Sequence, residues 1–571
     1  MTLKSVREFF LFFRLINVKD SAQLADFAGS SRFCYSPRPM YFNAKEQAGL
    51  GGFCQLHTPR VCPDSLVRGT FYLTESARGS LAPAESRIMA PPNQTPLRPI
   101  PVYVMLPLHI LDSQNNEVNY KETDPERTGE EYKVFSADER PLRADLQCLK
   151  DAGVQGVMVD CWWGIVEAKG PGQYNWKGYQ NLFSIVKAAE LELHVVMSFH
   201  ACVENGVETI PLPGWVKSIG QEKDLFYKDA HDNPSTEYLS WAVDKKPVLK
   251  DQIGHRVSPL QVYEKFMSKF KESMAEYLPG TITVIEVGLG PSGELRYPAY
   301  RLPWKIPGVG EFQCYDKYMM ESWKNEAEEQ GFTIPCCVGP QTAGDYNSTP
   351  EQTQFFGTDF TNGICYSGTY GKTFLTWYSK NLVDHGQRVL KSAYEIFNPK
   401  GIKIAAKVPG IHWCYGTKSH AAEATAGLFA GDSGNNLFVY DSIVNMLKNL
   451  QADTPESLKA TFIFTCAEMK DDSNKTDKPQ TLVMQVLRDA QPDGVFIACE
   501  NGSEAYDMAS YNRIIGLADT FNISYFTYMR LEPELMKDQA RLELFRQFVT
   551  GMNARTPIKS PEEASPSAAV G

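Results

Sequence analysis

The sequence predicts an α/β fold built on a single (β/α)8 TIM barrel, with long loops after the third and fourth strands. Three observations support this. The chain holds eight short apolar runs rich in β-branched residues, as expected of strands buried on both faces of a parallel sheet. Helical periodicity separates most of these runs. Polar or charged residues follow seven of the eight, at the strand ends where a barrel carries its catalytic groups.

The eight apolar runs are predicted as barrel strands in chain order. They lie at 101–108, 153–164, 193–201, 283–290, 402–408, 461–467, 494–500 and 523–531. Between them, helical spacing of apolar residues predicts helices over 143–152, 175–189 and 372–397. Strands that alternate with helices indicate a parallel sheet, and eight such units favour a closed barrel over an open sheet.

Composition and charge limit the domain organisation and the classes of partner. The chain has 571 residues, 43% of them hydrophobic, and a net charge of -11, which argues against nucleic acid or an anionic membrane surface as main partner. No apolar run approaches the ~20 residues of a membrane span. We predict a basic extension over 1–99, one barrel domain over 100–555, and a disordered Pro/Ser/Ala-rich tail over 556–571.

The 13 cysteines are scattered, and none of them forms a CxxC pair with zinc-finger spacing. Several lie in apolar runs, where Cys behaves as a small hydrophobic residue. This usage predicts a reducing intracellular compartment, no metal and no cofactor.

Residues 1–99 differ from the rest of the chain in charge. They hold 12 Lys and Arg against 7 Asp and Glu, whereas the remainder holds 45 against 61. Four basic residues in the first 19 surround the apolar run FFLFF, which is too short for a secretory signal. A plastid transit peptide followed by a linker fits this composition. The alternative is a cytoplasmic protein with an untargeted extension.

The stretch IEVGLGPSGELRYPAY at 285–300 carries the strongest local signal. Gly288, Gly290 and Gly293 match GxGxxG behind a strand, the pattern of a dinucleotide site. That interpretation needs a helix opening at the third glycine, and Pro298 with the Pro/Gly-rich run after it disfavours one. The favoured alternative is a carboxylate, Glu294, held in a glycine-rich turn behind the fourth strand.

Polar residues at the ends of the other strands are predicted to share one rim with Glu294. They are Asp160, His200, Lys407, Thr465, Glu500, Asn501 and Arg530. Any one of them alone is compatible with a structural role. Burying so many unpaired polar groups together is costly, so a polar cleft is favoured.

Glu294 and Glu500 offer the two carboxyl groups that hydrolysis of a glycosidic bond requires. An acid protonates the leaving oxygen and a base deprotonates water; in an inverting enzyme the two stand roughly 6.5–9.5 Å apart. The acid must keep its proton near neutral pH, which requires burial or a neighbouring negative charge. Side chains for sugar contact are also present. Trp162, Trp163, Trp413 and Tyr415 can stack on sugar faces, and Asp160, His200, Lys407 and His412 can bind hydroxyls.

Many segments resemble the β-amylases, inverting glycoside hydrolases that release maltose from non-reducing ends of starch. They include GLGPSGELRYPAY, VMVDCWWGIVEAKGP, MSFH, IPLPGWV, GVGEFQCYDKYM, GIHWCY, HAAEATAG, FTCAEM, CEN and YMRL, spread over about 101–553. The resemblance implies an α-1,4-glucan or maltooligosaccharide partner. It implies Glu294 as general acid, Glu500 as general base and Thr465 as an inner-loop threonine. The positions that match substrate contacts are Asp160, His200, Lys407, His412, Asn501, Gly502 and Arg530.

The chain departs from the family after His200. Members usually continue with xCGGNVGD, a glycine-rich lid with an essential aspartate, whereas this chain reads HACVENGVETIPLP and is two residues shorter before IPLP. Glu208 takes the aspartate's place counting from His200, and Gly206 takes it counting back from Ile210. In addition, Cys414 replaces a tryptophan, and GSEAYD at 502–507 replaces ALPRYD.

Two interpretations from different classes follow. The first is an active exo-acting β-amylase, which the retention of both glutamates favours. The second is a glucan-binding or regulatory protein on the same scaffold, its catalysis lost with the lid. The altered loop and Ser503 favour this second interpretation, because lid closure excludes water and completes a catalytic site.

Overall fold

Eight parallel strands close into a barrel in the computed structural model of the chain. The structure describes residues 98–112, 139–204, 206–332, 339–357, 363–429, 439–451, 454–472, 476–491, 494–503 and 505–558. The predicted transit peptide lies outside the described residues, as does the predicted tail from residue 559 onward. Residues 556–558 are described, and Ile558 exchanges hydrogen bonds of 2.7 and 3.0 Å with the Asn512 side chain.

All eight apolar runs form barrel strands, each within or next to its predicted range. The strands are β1 (Val102–Met105), β2 (Gly156–Trp162), β3 (Glu192–Ser198), β4 (Ile282–Val287), β5 (Lys403–Val408), β6 (Thr461–Phe464), β7 (Phe496–Glu500) and β8 (Tyr525–Tyr528). Every strand pairs in parallel with its neighbour in the chain, and β8 pairs with β1 to close the barrel. The (β/α)8 prediction is therefore confirmed.

One long helix follows each strand before the next strand begins. These helices are α1 (Arg140–Asp151), α2 (Lys177–Ala188), α3 (Pro259–Ser273), α4 (Thr369–Phe397), α5 (Val439–Leu450), α6 (Pro479–Ala490), α7 (Met508–Phe521) and α8 (Gln539–Ala554). The helix α3 begins with a capping box, in which Ser258 and Gln261 bond each other's backbone N–H groups. Consecutive helices from α3 to α8 pack against each other around the barrel.

The connections after β3 and β4 are long, as predicted, but they contain regular structure. The β3–α3 connection folds into three two-stranded hairpins and the helix Gly214–Lys223. The first hairpin pairs Cys202–Glu204 with Val207–Ile210; we call it the lid hairpin. The β4–α4 connection contains the helix Lys317–Glu329. Shorter helices at Trp163–Val166, Ala421–Thr425 and Pro533–Lys537 follow β2, β5 and β8.

Side chains from all around the sheet fill the barrel interior. One layer of buried residues comes from six different strands: Tyr103, Val284, Ala405, Ile463, Ala498 and Tyr525. A second layer consists of Met105, Met158 and Val196. The barrel is thus a packed core rather than a channel, and a cavity can form only beyond the strand ends.

The glycine-rich turn behind β4 does not have the geometry of a dinucleotide site. Residues Pro291–Gly293 form a single 3-10 turn, and Glu294 after it is extended, with φ -89° and ψ 146°. No α-helix opens at Gly293, which instead takes the left-handed φ of 75° that favours glycine.

Among the described helices, none combines the length and apolar character needed to cross a membrane.

We predict that Gly288→Ala destabilises the fold, whereas Gly280→Ala does not. A Cβ atom on Gly288 would lie 2.5 Å from the backbone oxygen of Met197 in β3, and nothing lies within 4 Å of a Cβ on Gly280. Strain of this kind typically costs about 1–3 kcal/mol. Urea denaturation of both variants beside the wild type measures the free energies of unfolding. Equal stability of the two variants would contradict the expected close approach.

Candidate active site

The carboxyl ends of the strands and the long connections enclose a cavity of about 270 Å³. Its lining includes nearly all of the predicted site residues: Asp160, His200, Glu208, Glu294, Lys407, Thr465, Glu500, Asn501, Gly502 and Arg530. They come from seven of the eight strand ends and from the lid hairpin. The parallel barrel brings them together because all of its strands point the same way.

Glu294 is fixed by an arginine two residues further along the chain. The Arg296 Nε atom donates a 2.8 Å hydrogen bond to Glu294 Oε2, and the guanidinium also reaches the Ser292 hydroxyl at 3.3 Å. Ser292 has a left-handed φ of 58°, so the turn is tight here. The carboxyl group is therefore held from one side while its residue lines the cavity.

Glu500 is the last residue of β7 and lies beside a buried lysine. Lys407 Nζ is 3.7 Å from Glu500 Oε1 and 3.4 Å from Glu286 Oε1, and all three residues are buried. Burial raises the pKa of Glu500 above its ordinary value, and Lys407 and Arg530 oppose that rise. Glu500 Oε2 has no hydrogen-bond partner among the described residues. A substrate hydroxyl or a water molecule can therefore occupy that position.

Glu286 was not among the predicted site residues. It is the last but one residue of β4, fully buried, and burial raises its pKa to about 7, with Lys407 opposing the rise. For Lys407, burial lowers the pKa, but the neighbouring carboxylates outweigh that and raise it. Lys407 therefore stays protonated between two acids. A single charged residue inside the apolar run ITVIEV was the available signal for Glu286.

Asp160 and Arg530 link the second and eighth strands across the rim. Asp160 Oδ1 accepts a 3.1 Å hydrogen bond from Ser198, and Arg530 Nη1 lies 3.4 Å from Asp160 Oδ2. The Arg530 guanidinium also donates to the Leu106 carbonyl at 2.9 Å. These interactions orient the Asp160 carboxylate and the Arg530 guanidinium toward the same cavity, where both groups can form hydrogen bonds with sugar hydroxyls.

His200 is buried against Trp162, with ring centroids 5.0 Å apart and an interplanar angle of 65°. Burial lowers the pKa of His200 to about 3, so the imidazole is neutral near neutral pH. Its Nδ1 atom has no hydrogen-bond partner among the described residues. A neutral imidazole can donate one hydrogen bond to a hydroxyl group or accept one from it.

Thr465 and Asn501 line the cavity but bond mainly to the backbone. The Thr465 hydroxyl accepts a 2.8 Å hydrogen bond from the Gly410 N–H. The Asn501 amide bonds both the N–H and the C=O of Met529, at 2.8 and 2.7 Å. Asn501 thereby holds the end of β7 next to the residue that precedes Arg530.

The loop after Asn501 is held by a buried acid. Glu468 accepts hydrogen bonds from the backbone N–H groups of Gly502 and Ser503 and from the Ser503 hydroxyl, at 2.6–3.1 Å. The serine at the departure from ALPRYD therefore has a structural partner. Cys414, at another departure, directs its thiol to the Pro307 carbonyl at 3.4 Å.

The lid hairpin forms one wall of the cavity through Cys202, Val203, Gly206 and Glu208. Two side-chain contacts fasten it: His109 contacts Glu204, and Lys217 pairs with Glu208. Gly206 lies close to Leu302, where an added Cβ would come within 2.6 Å of that side chain. Glu208, which takes the aspartate's place counting from His200, thus lines the cavity while paired with the helix behind it.

Four residues predicted to contact the substrate are not among the residues that line the cavity. His412 is outside the cavity lining; it is buried and pairs with Asp477. Of the four aromatic residues considered for stacking, only Trp162 lines the cavity, whereas Trp163, Trp413 and Tyr415 are buried in the core outside that lining. Position after a strand does not reveal which side chains reach the cavity, because the path of the chain beyond the strand end decides it.

Residues of the long connections complete the lining and were missed from the sequence. They are Pro234, Ser235, Thr236 and Glu237 of the second hairpin, and Arg296, Pro298, Tyr300, Arg301 and Leu302 behind β4. Their segments lack the apolar periodicity that located the strands. Arg296, Pro298 and Tyr300 lie inside the segment GLGPSGELRYPAY, which gave them a recognisable context. Among the described residues, neither group of side chains that could hold a metal contains Glu294 or Glu500.

Comparisons with known proteins agree with this geometry. A family model described as Glycosyl hydrolase family 14 matches residues 132–556. "Beta-amylase" from Medicago sativa is 39% identical over 474 residues, covering 80% of this chain and 87% of that protein. "Beta-amylase 2, chloroplastic" from Arabidopsis thaliana is 41% identical over 472 residues, covering 80% and 79%.

A solved structure shows the same architecture. The catalytic domain of beta-amylase from Paenibacillus polymyxa superposes with a TM-score of 0.62 at 26% identity, covering 80% of this chain and 99% of that one. The family match spans more than half of the chain, and the sequence relatives exceed 30% identity over most of it. The chain therefore belongs to glycosyl hydrolase family 14 and is a glycosyl hydrolase of the β-amylase type.

Proposed function

We propose that the chain releases maltose from the non-reducing ends of α-1,4-glucans with inversion, using Glu294 as general acid and Glu500 as general base. The observation that carries this proposal is the cavity itself. It receives a carboxyl group from the turn behind β4 and another from the end of β7, in a chain of glycosyl hydrolase family 14. Hydrolysis of a glycosidic bond uses two carboxyl groups, and inversion gives them separate acid and base roles.

The surroundings of Glu500 suit a general base. Lys407 and Arg530 are the nearby cations, and both favour the charged carboxylate, which must accept a proton from water. The free Oε2 atom provides a position for that water. Glu294 enters from the turn behind a different strand, and the bond from Arg296 holds its carboxyl group in one position at the cavity.

The remaining polar residues support glucan binding. Asp160, His200 and Arg530 present an acceptor, a neutral imidazole and a cation to one cavity, and Trp162 adds an apolar face beside them. Sugars combine hydroxyl edges with apolar faces, so this mixture fits a saccharide. His412 stays a predicted substrate-binding residue that the cavity lining does not include.

The binding-only alternative is not favoured by the relatives. The Medicago and Arabidopsis proteins carry the name β-amylase, and both candidate catalytic glutamates of this chain line the cavity. We expect the altered lid to lower the turnover rate rather than to abolish catalysis. We propose that the fastened hairpin covers the sugar less completely than a longer glycine-rich loop, because closure and exclusion of water both require loop movement.

We propose a plastid location, with the basic residues 1–99 directing import. Two relatives of similar identity, "Beta-amylase 1, chloroplastic" and "Beta-amylase 2, chloroplastic" from Arabidopsis thaliana, support it. The net positive charge of 1–99, in an otherwise acidic chain, is consistent with it.

The acid and base assignment predicts the effect of two amide substitutions. Glu294→Gln should remove the proton donor and Glu500→Gln the water activator, and each should lower kcat by at least roughly 10²–10⁴-fold. Maltose release from soluble starch is the measurement, and the wild-type product should be the β-anomer. Glu272→Gln, an exposed change on α3, serves as control. An α-anomeric product, or normal turnover in either variant, is incompatible with these roles.

The pKa of Glu500 sets the acid side of the pH profile. A base works only when deprotonated, and burial raises this pKa, so kcat/KM should fall at a higher pH than for an ordinary glutamate near 4.3. Lys407→Met removes a charge that lowers the pKa and should move the acid limb to still higher pH. The exposed Lys400→Met is the control. If Lys407→Met leaves the acid limb unchanged, Glu500 is not the group whose titration sets that limb.

The lid predicts a difference between binding and turnover. With a shorter, fastened hairpin, kcat should be lower than in relatives with the full lid, while KM changes little, since an interaction that forms only in the transition state affects kcat alone. Replacing Cys202 to Glu208 with a CGGNVGD-type loop, with the two missing residues restored, should raise kcat. If the unmodified enzyme already matches full-lid relatives, then Glu208 performs the aspartate's role, and Glu208→Gln should abolish activity.

The import proposal is checked with a fluorescent fusion. Residues 1–99 in front of a fluorescent protein should direct it into chloroplasts of leaf cells, seen by microscopy. The matched control replaces Lys4, Arg7, Arg14 and Lys19 with Gln, which removes the positive charge of the first segment and should abolish import. A cytosolic signal from the unmodified fusion would contradict plastid targeting.

A further inference from the structure

A group of three potential metal ligands lies at the edge of the cavity, apart from Glu294 and Glu500. A ring nitrogen of His109, the Sγ atom of Cys202 and a carboxylate oxygen of Glu204 all lie within 4.8 Å of one another. His109 follows β1, whereas Cys202 and Glu204 belong to the first strand of the lid hairpin. No spacing pattern in the sequence indicates this group, because 92 residues lie between its histidine and its cysteine.

The three donor atoms define the kind of ion that suits them. Imidazole nitrogen, thiolate sulfur and carboxylate oxygen are the ligands that proteins offer to zinc, in sets of three when the fourth position stays open. Magnesium and calcium prefer oxygen ligands throughout, and the thiolate disfavours them. The mixture therefore selects a borderline-soft divalent ion.

We propose that His109, Cys202 and Glu204 form a Zn²⁺ site, with water as the fourth ligand, that ties the lid hairpin to the segment after β1. His109 Nε2 and Glu204 Oε2 are already in contact at 2.5 Å. Zinc bonds of about 2.0–2.3 Å need the two atoms to separate by roughly one ångström, which long side chains at a surface permit.

The surroundings of the three ligands favour this site. The Thr209 hydroxyl donates a hydrogen bond to Cys202 Sγ at 3.4 Å, which orients the sulfur from the opposite strand of the hairpin. His109 and Glu204 keep 40% and 25% of their side-chain surface exposed, so an ion can reach the buried cysteine from solvent. When the Zn–S bond forms, the thiol proton of Cys202 passes to solvent.

A second group provides an internal comparison. Asp229, His231 and Glu311 also approach within 4.8 Å of one another. The Asp229 carboxylate, however, already accepts hydrogen bonds from two backbone N–H groups and from the Tyr346 hydroxyl. This group contains no thiol, and one of its two acids, Asp229, is engaged in holding a loop, so we expect no zinc site there.

The test is direct metal binding by the full-length, purified protein. Zn²⁺ is titrated in competition with a chromophoric chelator, and Co²⁺ is added separately to detect thiolate-to-cobalt charge transfer in the near ultraviolet. The variants are Cys202→Ser, His109→Gln and Glu204→Gln, with His231→Gln as the matched control. Circular dichroism and thermal unfolding without metal show whether each variant is folded.

The wild type and His231→Gln should each bind one equivalent of Zn²⁺. The other three variants should lose this binding or bind Zn²⁺ at least about tenfold more weakly. The cobalt band should vanish in Cys202→Ser. The thermal midpoint of the wild type, but not of His109→Gln, should rise with added Zn²⁺. The proposal is overturned if Cys202→Ser retains the cobalt band, or if the wild type binds no more zinc than the folded Cys202→Ser variant. Binding that depends only on His231 overturns it as well.

This proposal does not depend on hydrolysis, so its outcome is separate from that of the catalytic assignment. In a chain with Glu500→Gln the zinc equivalent should remain, because Glu500 is not one of the ligands. Loss of zinc binding in that folded variant would show that the ion sits in the catalytic centre instead.

Discussion

The ammonium group of Lys407 lies between two buried carboxyl groups, and the charge balance of the cavity floor depends on that arrangement. A cation in a barrel interior is tolerated only where anions lie beside it. Glu286 and Glu500 lie beside it, and the lysine in return opposes the rise in pKa that burial imposes on both carboxyl groups. Removing one member of such a buried group leaves the others uncompensated, which costs about 3–5 kcal/mol. The proposed general base Glu500 and the stability of the barrel thus both depend on Lys407.

Much of this arrangement could be predicted from the sequence. The strands were found because a parallel sheet is buried on both faces and so reads as continuous apolar runs such as IKIAAKV. The rim followed from the residue that ends each run, since parallel strands in a barrel all end on the same side. The structure therefore places four of the predicted rim residues in one cavity, namely Asp160, Lys407, Glu500 and Arg530.

The remaining parts depend on tertiary interactions that strand position does not encode. Glu286 lies inside β4 and is explained only by the lysine of the next strand. The hairpin that contributes Glu237 has two short strands with a register shift, and such segments give no clear alternation. His412 lies four residues after the end of β5, yet its ring pairs with Asp477 outside the cavity lining. Distances along the chain could not separate it from His200.

Pairing between β8 and β1 has a consequence for how the protein is made. Each other strand has its neighbour available soon after synthesis, but the second edge of β1 must wait for Tyr525–Tyr528, more than 400 residues later. An uncovered strand edge is a template for unwanted pairing. While the ribosome is still translating, the nascent chain therefore carries an open sheet, and Arg530 cannot meet Asp160. The rim is assembled only when the last eighth of the barrel emerges, and until then the open sheet edge of the growing chain is exposed to unwanted pairing.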